Sequence, residues 1–260
     1  MAVKKTKKLS GQTTTTTVAS GEKFAKVDAN GKVTLIDLAN LKTTLLAGLN
    51  LNSMMDGVFI MYHRKSDNYP LMVKPHKWTA LQTSGEIADG VVVVEGGKVL
   101  VVAPTECDSA GLLWSSAAVS GGATTTSDRV VAMADWNGKA NTASIISKST
   151  SATVTNTAAY APGFCNLYNR VNANGSGLTA GKWWLPSVGE MMMIYANMTK
   201  INYCLSLITG ATQLAETWYW TSTENSASFA WNLRLSDGYL GWNTKASHKG
   251  RVRPVSAFIG

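Results

Sequence analysis

Histidine and cysteine, the side chains that most often carry out chemistry, are few and scattered in this sequence. The three histidines, His63, His76 and His248, form neither the HxH nor the HExxH spacing of metal sites. The sequence also contains no GxSxG, no phosphate-binding loop and no GxGxxG fingerprint. We therefore expect surface histidines, no catalytic residue, no metal site and no cofactor.

The cysteines suggest packing rather than reactivity. Cys107, Cys165 and Cys204 are far apart, form no CxxC pair and are odd in number, which argues against a disulfide framework. A lone cysteine in an apolar helical pattern, such as Cys204, behaves as a small hydrophobe. These features predict reduced thiols in a protein made in the cytoplasm.

Composition indicates a globular chain with a basic start. The sequence is 45% hydrophobic and 15% charged, with a net charge of +8. Four lysines fall within the first eight residues, ahead of the threonine run 13–17. We predict a disordered arm over 1–20 and, because no nucleic-acid-binding motif follows, no nucleic-acid partner. Without an apolar run of membrane-spanning length, we expect neither a secretory signal nor a membrane segment.

Residues 21–85 predict a small N-terminal domain. Alternating apolar residues around Asn30-Gly31 indicate a hairpin, and leucines from Leu35 onward predict an amphipathic helix that ends near Gly48. Residues 57–78 then read as two strands around a turn at 66–68. Because so short a region has a thin core, we expect it to need a partner or copies of itself, and oligomerisation is the expected role.

A second domain is predicted over 86–260, and its first two thirds contain a hairpin and helices. The near-continuous valines of 90–106 predict a hairpin that turns at Gly96-Gly97 and is buried on both faces. One helix is expected from about Asn141, and a second helical stretch is expected to be interrupted by Pro162-Gly163.

The segment after Pro186 predicts a capped helix. Ser187 and Glu190 have the spacing of a capping box, and the methionines 191–193 behind them are expected to pack in the core. Another short helix, through Cys204, is expected to end at Gly210.

The last forty residues change to a strand period. Phe229, Trp231 and Leu233 alternate with Ala230 and Asn232, and a tight turn at 237–238 follows. The closing RVRPVSAF predicts a final strand, which the proline would place at an edge or a bulge.

The order of several motifs carries a resemblance to a known family. DWNGKANT, AAYAPGFCNLY, KWWLPSVGEM, YWTSTE, AWNLRLSDG and RVRPVSAF occur in one series. The series resembles the C-type-lectin-fold domain shared by formylglycine-generating-enzyme-like proteins and the variable proteins of diversity-generating retroelements, above all those of gut Bacteroides and their phages. It spans roughly 86–260. The resemblance implies an α+β protein with a C-type lectin fold, a twisted antiparallel sheet with two flanking helices, preceded by a small N-terminal docking or oligomerisation domain.

The resemblance also implies two interleaved sets of residues. In such variable proteins, adenine-rich codons are mutagenised through a template, while a scaffold between them stays fixed. The scaffold positions implied here are Trp220, Thr221, Ser222, Trp231, Leu233, Gly238, Arg251, Val252, Arg253 and Pro254. The implied variable, ligand-binding positions are Asn225, Ser226, Ser228, Phe229, Asn232, Arg234, Ser236, Tyr239, Gly241, Trp242, Asn243, Ser247 and His248.

The residue types of the second set are those that binding surfaces use. Aromatic side chains give large contact area at low entropic cost, and small polar residues adapt their hydrogen bonds to a partner. Sheet packing is the alternative interpretation of Tyr239 and Trp242, and it is the expected role of Trp231 and Leu233.

Departures from the family pattern disfavour two alternatives. Formylglycine-generating enzymes depend on a reactive cysteine pair near the domain end, and residues 210–260 contain no cysteine. Calcium-binding lectins carry E-P-N and W-N-D stretches, whereas this chain has Leu185-Pro186-Ser187 and Trp231-Asn232-Leu233. Since these stretches lack the carboxylates that calcium needs, we expect any sugar binding to be calcium-independent.

These observations predict a non-enzymatic adhesion protein on a phage head or tail fibre. Expected partners are a host-cell surface or environmental ligand, protein or glycan, together with other virion proteins that hold the N-terminal domain. A homo-oligomer, in particular a trimer, is expected by analogy with fibres. The alternatives are a structural decoration protein of the virion and an oxidoreductase of the formylglycine-generating type.

Overall fold

The chain forms two compact units, which a computed structural model describes over residues 23–27, 30–37 and 56–258. The first unit covers Met1–Asn50 and the second Leu51–Gly260. The predicted arm over 1–20 lies outside the described residues.

The described part of the first unit is a hairpin. Strands β1 (Lys23–Val27) and β2 (Val33–Asp37) pair antiparallel, and Gly31 adopts a positive φ of 79° in the turn. This confirms the hairpin predicted around Asn30-Gly31. Because β2 runs to Asp37, Leu35 belongs to a strand and not to the predicted helix, whose remainder lies outside the described residues.

The second unit mixes helices with antiparallel sheets, which makes it an α+β structure. Its strands are β3 (Gly57–His63), β4 (Pro70–Val73), β5 (Ala88–Glu95), β6 (Lys98–Val102), β7 (Arg170–Val171), β8 (Gly177–Leu178), β9 (Trp183–Trp184), β10 (Trp218–Glu224), β11 (Phe229–Arg234), β12 (Leu240–Thr244) and β13 (Val255–Ser256). Its helices are α1 (Trp78–Thr83), α2 (Arg129–Met133), α3 (Gly138–Ser147), α4 (Ala161–Leu167), α5 (Val188–Ala196) and α6 (Met198–Ser206).

A six-stranded sheet forms the base of this unit, with the order β4-β3-β5-β6-β13-β9. The predicted turn at 66–68 and the turn at Gly96-Gly97 are both confirmed by the pairing of the flanking strands. Strand β3 pairs with β5 along most of its length, so residues 57–85 belong to the same unit as the valine hairpin. The boundary predicted at residue 86 is therefore corrected to about residue 51.

The valines of β5 are buried on both faces of the sheet, as predicted. Val91 and Val93 belong to the main core with α5 and α6, whereas Val92 and Val94 pack in a second cluster with Leu178. A strand covered on both sides needs no polar face, which explains the unbroken run of valines.

The three-stranded sheet β10-β11-β12 is the element that presents the predicted site. Trp231 and Leu233 point into the main core, as predicted, while Trp220 and Ala230 pack on the opposite side in a cluster with Trp114. Helices on both sides therefore hold this small sheet, and strand β12 remains its free edge.

The helices predicted from the sequence are confirmed only in part. The capping box is present at α5, where the carboxylate of Glu190 accepts a 2.8 Å hydrogen bond from the backbone N–H of Ser187. The predicted interruption at Pro162-Gly163 is wrong, because α4 begins at Ala161 and Pro162 occupies its first turn, where no N–H is needed. Met191 is fully buried in the core, as expected.

The C-terminal strand is short and internal. β13 pairs with β6 on one side and with β9 on the other, so the predicted edge position is wrong. Pro254 lies just before β13, where its carbonyl accepts a 3.0 Å hydrogen bond from the N–H of Ala103. Because a proline needs only its carbonyl at this position, it does not disturb the ladder.

The buried carboxyl group of Glu190 predicts a pH-dependent stability. Burial raises its pKa from 4.5 to about 7, and the neighbouring Asp135 carboxylate adds to this rise. As the pH rises, the unfolded chain loses the Glu190 proton before the folded chain does. The protonated Glu190 therefore contributes its full stabilisation below pH 4.5, and this stabilisation is lost as the pH rises through 7. We expect urea unfolding to show a loss on the order of 3 kcal/mol across this window. The Glu190→Gln variant should lack this pH dependence. If the free energy of unfolding changes equally with pH in the variant and in the wild type, Glu190 is not the group responsible.

Candidate functional site

A buried ion pair fixes the sheet that carries the predicted ligand-binding residues. Lys245, just after β12, and Glu224, at the end of β10, are both fully buried, and the Lys245 ammonium donates to the Glu224 carboxylate. Three carbonyls also lie within hydrogen-bond distance of the ammonium, those of Val119 at 3.0 Å, Ser226 at 3.1 Å and Ala227 at 2.7 Å, so its three N–H groups are shared among four acceptors. One cation therefore joins four segments: the ends of β10 and β12, the β10–β11 turn and the loop at 119.

The Glu224 carboxylate is satisfied from its other side by the loop 121–126. It accepts hydrogen bonds from the N–H groups of Gly121 at 2.9 Å and Ala123 at 2.8 Å. Burial lowers the pKa of the Lys245 ammonium, and the adjacent Glu224 carboxylate opposes that fall. The pair is thus a fully hydrogen-bonded internal site that shapes the surface above it.

An exposed cluster of rings and guanidinium groups lies across one end of the three-stranded sheet. We call it the aromatic–arginine patch, and it consists of Arg129, Trp218, Arg234, Tyr239 and Trp242. Tyr239 is 48% exposed and Trp242 is 46% exposed. Single exposed hydrophobic residues are common, whereas exposed aromatic side chains that adjoin one another are typical of interaction surfaces.

The patch is ordered by stacking. The guanidinium of Arg234 lies 5.2 Å from the ring of Trp218 and 5.5 Å from that of Tyr239. Arg129 lies 5.3 Å from the Tyr239 ring and 6.0 Å from the Trp242 ring. Arg234 also forms a bidentate ion pair with Asp237. The guanidinium that contacts the Trp218 and Tyr239 rings is therefore itself held in place.

Helix α2 contributes residues that the sequence analysis did not include in the site. Arg129 opens this helix, and Val130 and Val131 beside it are 70% and 51% exposed. Asp128 caps the helix by accepting hydrogen bonds from the N–H groups of both valines. The sequence pattern that could have indicated this part of the site is a capping aspartate followed by two adjacent apolar residues in a short helix with few positions that face the core.

The structure places the thirteen predicted binding residues unevenly. Ser236, Tyr239, Trp242 and Ser247 are exposed. Seven others are partly buried: Asn225, Ser226, Ser228, Phe229, Arg234, Asn243 and His248. Asn232 and Gly241 are buried, so neither lies on the free surface, and their role in ligand binding stays a prediction. They are the central residues of paired strands, where neighbouring side chains cover them.

The partly buried residues lie mainly at the other end of β11 from the patch. The β10–β11 turn is closed by the N–H of Asn225, which donates to the carbonyl of Phe229 at 2.9 Å. After β12, the hydroxyls of Thr244 and Ser247 lie 2.5 Å apart. The predicted set is therefore split between two ends of one strand rather than gathered in a single spot.

His63 and the three cysteines, all outside this sheet, have structural surroundings rather than reactive ones. His63 is not a free surface histidine as expected, because its Nδ1 lies 2.7 Å from the buried carboxylate of Asp89. Burial raises the pKa of the Cys107 and Cys204 thiols to about 11 and that of Cys165 well above its ordinary value. Thiols in this state are poor nucleophiles.

The described residues contain no cluster of three histidine, cysteine or acidic side chains placed to hold a metal ion. Among the helices of the described part of the chain, none is long and apolar enough to span a membrane.

Comparison of the chain with protein-family models, with curated proteins and with solved structures finds no match. The observations that bear on function are therefore the geometry of the aromatic–arginine patch, the three-stranded sheet that carries it and the motif resemblance.

The buried Lys245–Glu224 pair generates a stability prediction. Lys245→Met leaves the Glu224 carboxylate buried without its cation, and we expect a loss of about 3–5 kcal/mol in the free energy of unfolding. The double variant Lys245→Met/Glu224→Gln removes both charges and should recover much of that loss. Chemical denaturation of Lys245→Met, of Glu224→Gln and of the double variant measures the coupling, and a double variant as unstable as the sum of the two single variants would contradict it.

Proposed function

We propose that this is a non-enzymatic ligand-binding protein with a C-type lectin fold, displayed on a phage particle and used for adhesion. The observation that carries the proposal is the aromatic–arginine patch. It is an accessible group of rings and guanidinium groups mounted on a sheet that buried ion pairs hold rigid. A rigid surface of this composition binds partners without a large ordering cost.

The C-type lectin fold is supported by the ordered motif series and by the architecture. Antiparallel sheets are combined with helices α3 and α5, which contact β10 and β11 of the small sheet. The motif residues Trp220, Trp231 and Arg253 are fully buried, as scaffold positions should be. Tyr239 and Trp242, by contrast, are exposed, which favours binding over plain sheet packing for these two residues.

The competing functions have less support. An oxidoreductase of the formylglycine-generating type needs reactive cysteines, whereas all three thiols here are buried. A purely structural decoration protein would bury the patch in assembly contacts, and the mutational test below distinguishes this case. In the proposed arrangement, the N-terminal region attaches the protein to the virion, as a trimer, and the patch faces the host cell or its surroundings.

The proposed diversification of the C-terminal sheet can be tested in the gene neighbourhood. If residues 215–258 are diversified, a second, adenine-rich copy of their coding sequence should lie beside a reverse-transcriptase gene. Adenines of the template should coincide with codons such as those of Asn225, Asn232 and Asn243. Sequencing the gene neighbourhood in related isolates tests this. Substitutions spread evenly over scaffold and candidate positions would contradict it.

Removing the patch aromatics should abolish adhesion while leaving the fold intact. For the double variant Tyr239→Ala/Trp242→Ala we expect at least a tenfold loss of binding, because buried aromatics dominate interface energies at about 2 kcal/mol or more each. The measurement is binding of fluorescently labelled protein to bacterial cells from which the phage is recovered.

Tyr203→Ala provides the matched control, because Tyr203 is an exposed aromatic on α6, outside the three-stranded sheet. It should bind cells like the wild type. If the double variant adheres normally but virions no longer assemble, the patch serves assembly and the proposed function is wrong.

A further inference from the structure

Strand β12 leaves one side of its backbone unpaired. It is the outer strand of the order β10-β11-β12, so it bonds to β11 on one side only. The N–H of Arg234 donates to the carbonyl of Tyr239 at 3.0 Å, which shows that the backbone of Tyr239 faces β11. In an antiparallel ladder, alternate residues turn both backbone groups toward the partner and the residues between them turn both groups away. The residues that turn their N–H and C=O groups outward are Leu240, Trp242 and Thr244.

Most of these outward groups are unused within the protein. The carbonyl of Thr244 accepts a 3.2 Å hydrogen bond from the N–H of His248. In the part of the chain that the structure describes, no hydrogen bond uses the outward N–H or C=O of Leu240 or Trp242. Two donors and two acceptors therefore lie in a row along the edge of the sheet, each able to bond to an added partner.

The edge also lacks the features that keep edge strands unpaired. Residues 240–244, LGWNT, contain no proline and no charged residue, and their register with β11 runs without a bulge. Prolines, charges and bulges are the devices by which natural sheets stop a further strand from pairing. Without them, β12 is a template on which another strand can form.

A cation stands beside this edge. Tyr239 and Trp242 are three positions apart in an extended segment, so their side chains leave opposite faces of the sheet. The guanidinium of Arg129 nevertheless lies 5.3 Å from the first ring and 6.0 Å from the second, which places it next to the edge rather than above either face. Among the ion pairs of the described residues, none includes Arg129, so its charge is open to a carboxylate.

We propose that β12 binds an extended, acidic segment of a protein ligand as a fourth strand of the small sheet. The inference rests on the proposed ligand-binding function and names the class of ligand. The outward N–H and C=O groups of Leu240 and Trp242 pair with the backbone of the segment, and a carboxylate of the segment pairs with Arg129. The exposed Trp242 ring packs on the side chain that the segment places on the same face.

The surroundings favour a polypeptide over a glycan or a second copy of this chain. A row of alternating backbone donors and acceptors matches another strand, whereas the hydroxyls of a sugar have no such repeat. Val130 and Val131, which follow Arg129 on α2, expose aliphatic surface next to the aromatic–arginine patch, as interaction surfaces for proteins do. The β12 strand of a second copy has no acidic residue to offer Arg129.

Amide hydrogen exchange on the full chain tests whether the edge is open, and it requires no ligand. We expect the N–H groups of Leu240 and Trp242 to exchange about tenfold faster or more than those of Gly241 and Asn243, which are bonded to β11. Equal protection at all four positions would mean that the edge is already covered, and would overturn the inference.

Adhesion to intact bacterial cells tests the class of ligand. Treatment of the cells with proteinase K should reduce binding of the labelled protein by about tenfold or more, and mild periodate oxidation of their glycans should leave it unchanged. Binding that survives proteinase K, or that is lost after periodate, would identify a ligand other than a polypeptide and overturn the inference.

Two substitutions at one position separate the backbone of β12 from the Trp242 ring. Trp242→Ala removes the ring and keeps the outward N–H, whereas Trp242→Pro removes both and breaks no bond to β11. We expect Trp242→Pro to bind cells about tenfold more weakly than Trp242→Ala, because the proline also obstructs the approach of a strand. Equal binding by the two variants at similar melting temperatures would contradict pairing at the edge.

A charge series provides a second test that does not depend on how the proline variant folds. Arg129→Glu repels a carboxylate that Arg129→Gln merely fails to attract, so the glutamate variant should bind cells about tenfold more weakly than the glutamine variant. Equal binding by these variants would show that the segment is not acidic.

Failure of the inference and failure of the proposed function give different results. If binding survives proteinase K while Tyr239→Ala/Trp242→Ala still abolishes adhesion, the strand pairing is wrong and the proposed function stands. If that double variant adheres normally, the proposed function is wrong and the inference falls with it.

Discussion

The Lys245 ammonium ties the strands of the small sheet together at the end that carries the β10–β11 turn. A buried cation is tolerated only when its charge and its donors are matched, and here one carboxylate and three carbonyls provide that match. These groups come from the end of β10, from the turn after it and from a distant loop, while Lys245 itself follows β12. None of these segments can shift without leaving a charge uncompensated, so this end of the sheet is fixed, and the aromatic–arginine patch lies at the opposite end of the strands it holds.

A second buried network joins the two sheets and explains the alternation of the closing RVR segment. Glu106 accepts hydrogen bonds from Arg251 at 2.7 Å, from Arg253 at 2.9 Å and from the Tyr219 hydroxyl at 2.5 Å. The two arginines reach one carboxylate from the same side, while Val252 between them packs in the opposite cluster. The segment thus locks β10 of the small sheet to the chain that enters β13 of the large one.

Local signals in the sequence predicted local structure well and missed what depends on distant contacts. The Ser187–Glu190 capping box, the turns at paired glycines and the inward face of β11 each depend on residues a few positions apart. The boundary near residue 51 depends on β3 pairing with β5. Arg129 reaches Tyr239 across 110 positions, and the Trp218 ring on β10 lies next to Gly241 on β12, so no periodicity could reveal either contact.

Both faces of β11 are packed, so a changeable surface on a stable fold is restricted to the margins of the small sheet. Trp231 and Leu233 are covered by the helical core, so any substitution there carries a packing cost of several kcal/mol, in the range of about 2–5. On the opposite face, Ala230 and Trp220 belong to the second cluster, and Asn232, which pairs with Trp220, is fully buried. Substitutions that leave both clusters intact are therefore expected at the exposed positions Ser236, Tyr239, Trp242 and Ser247.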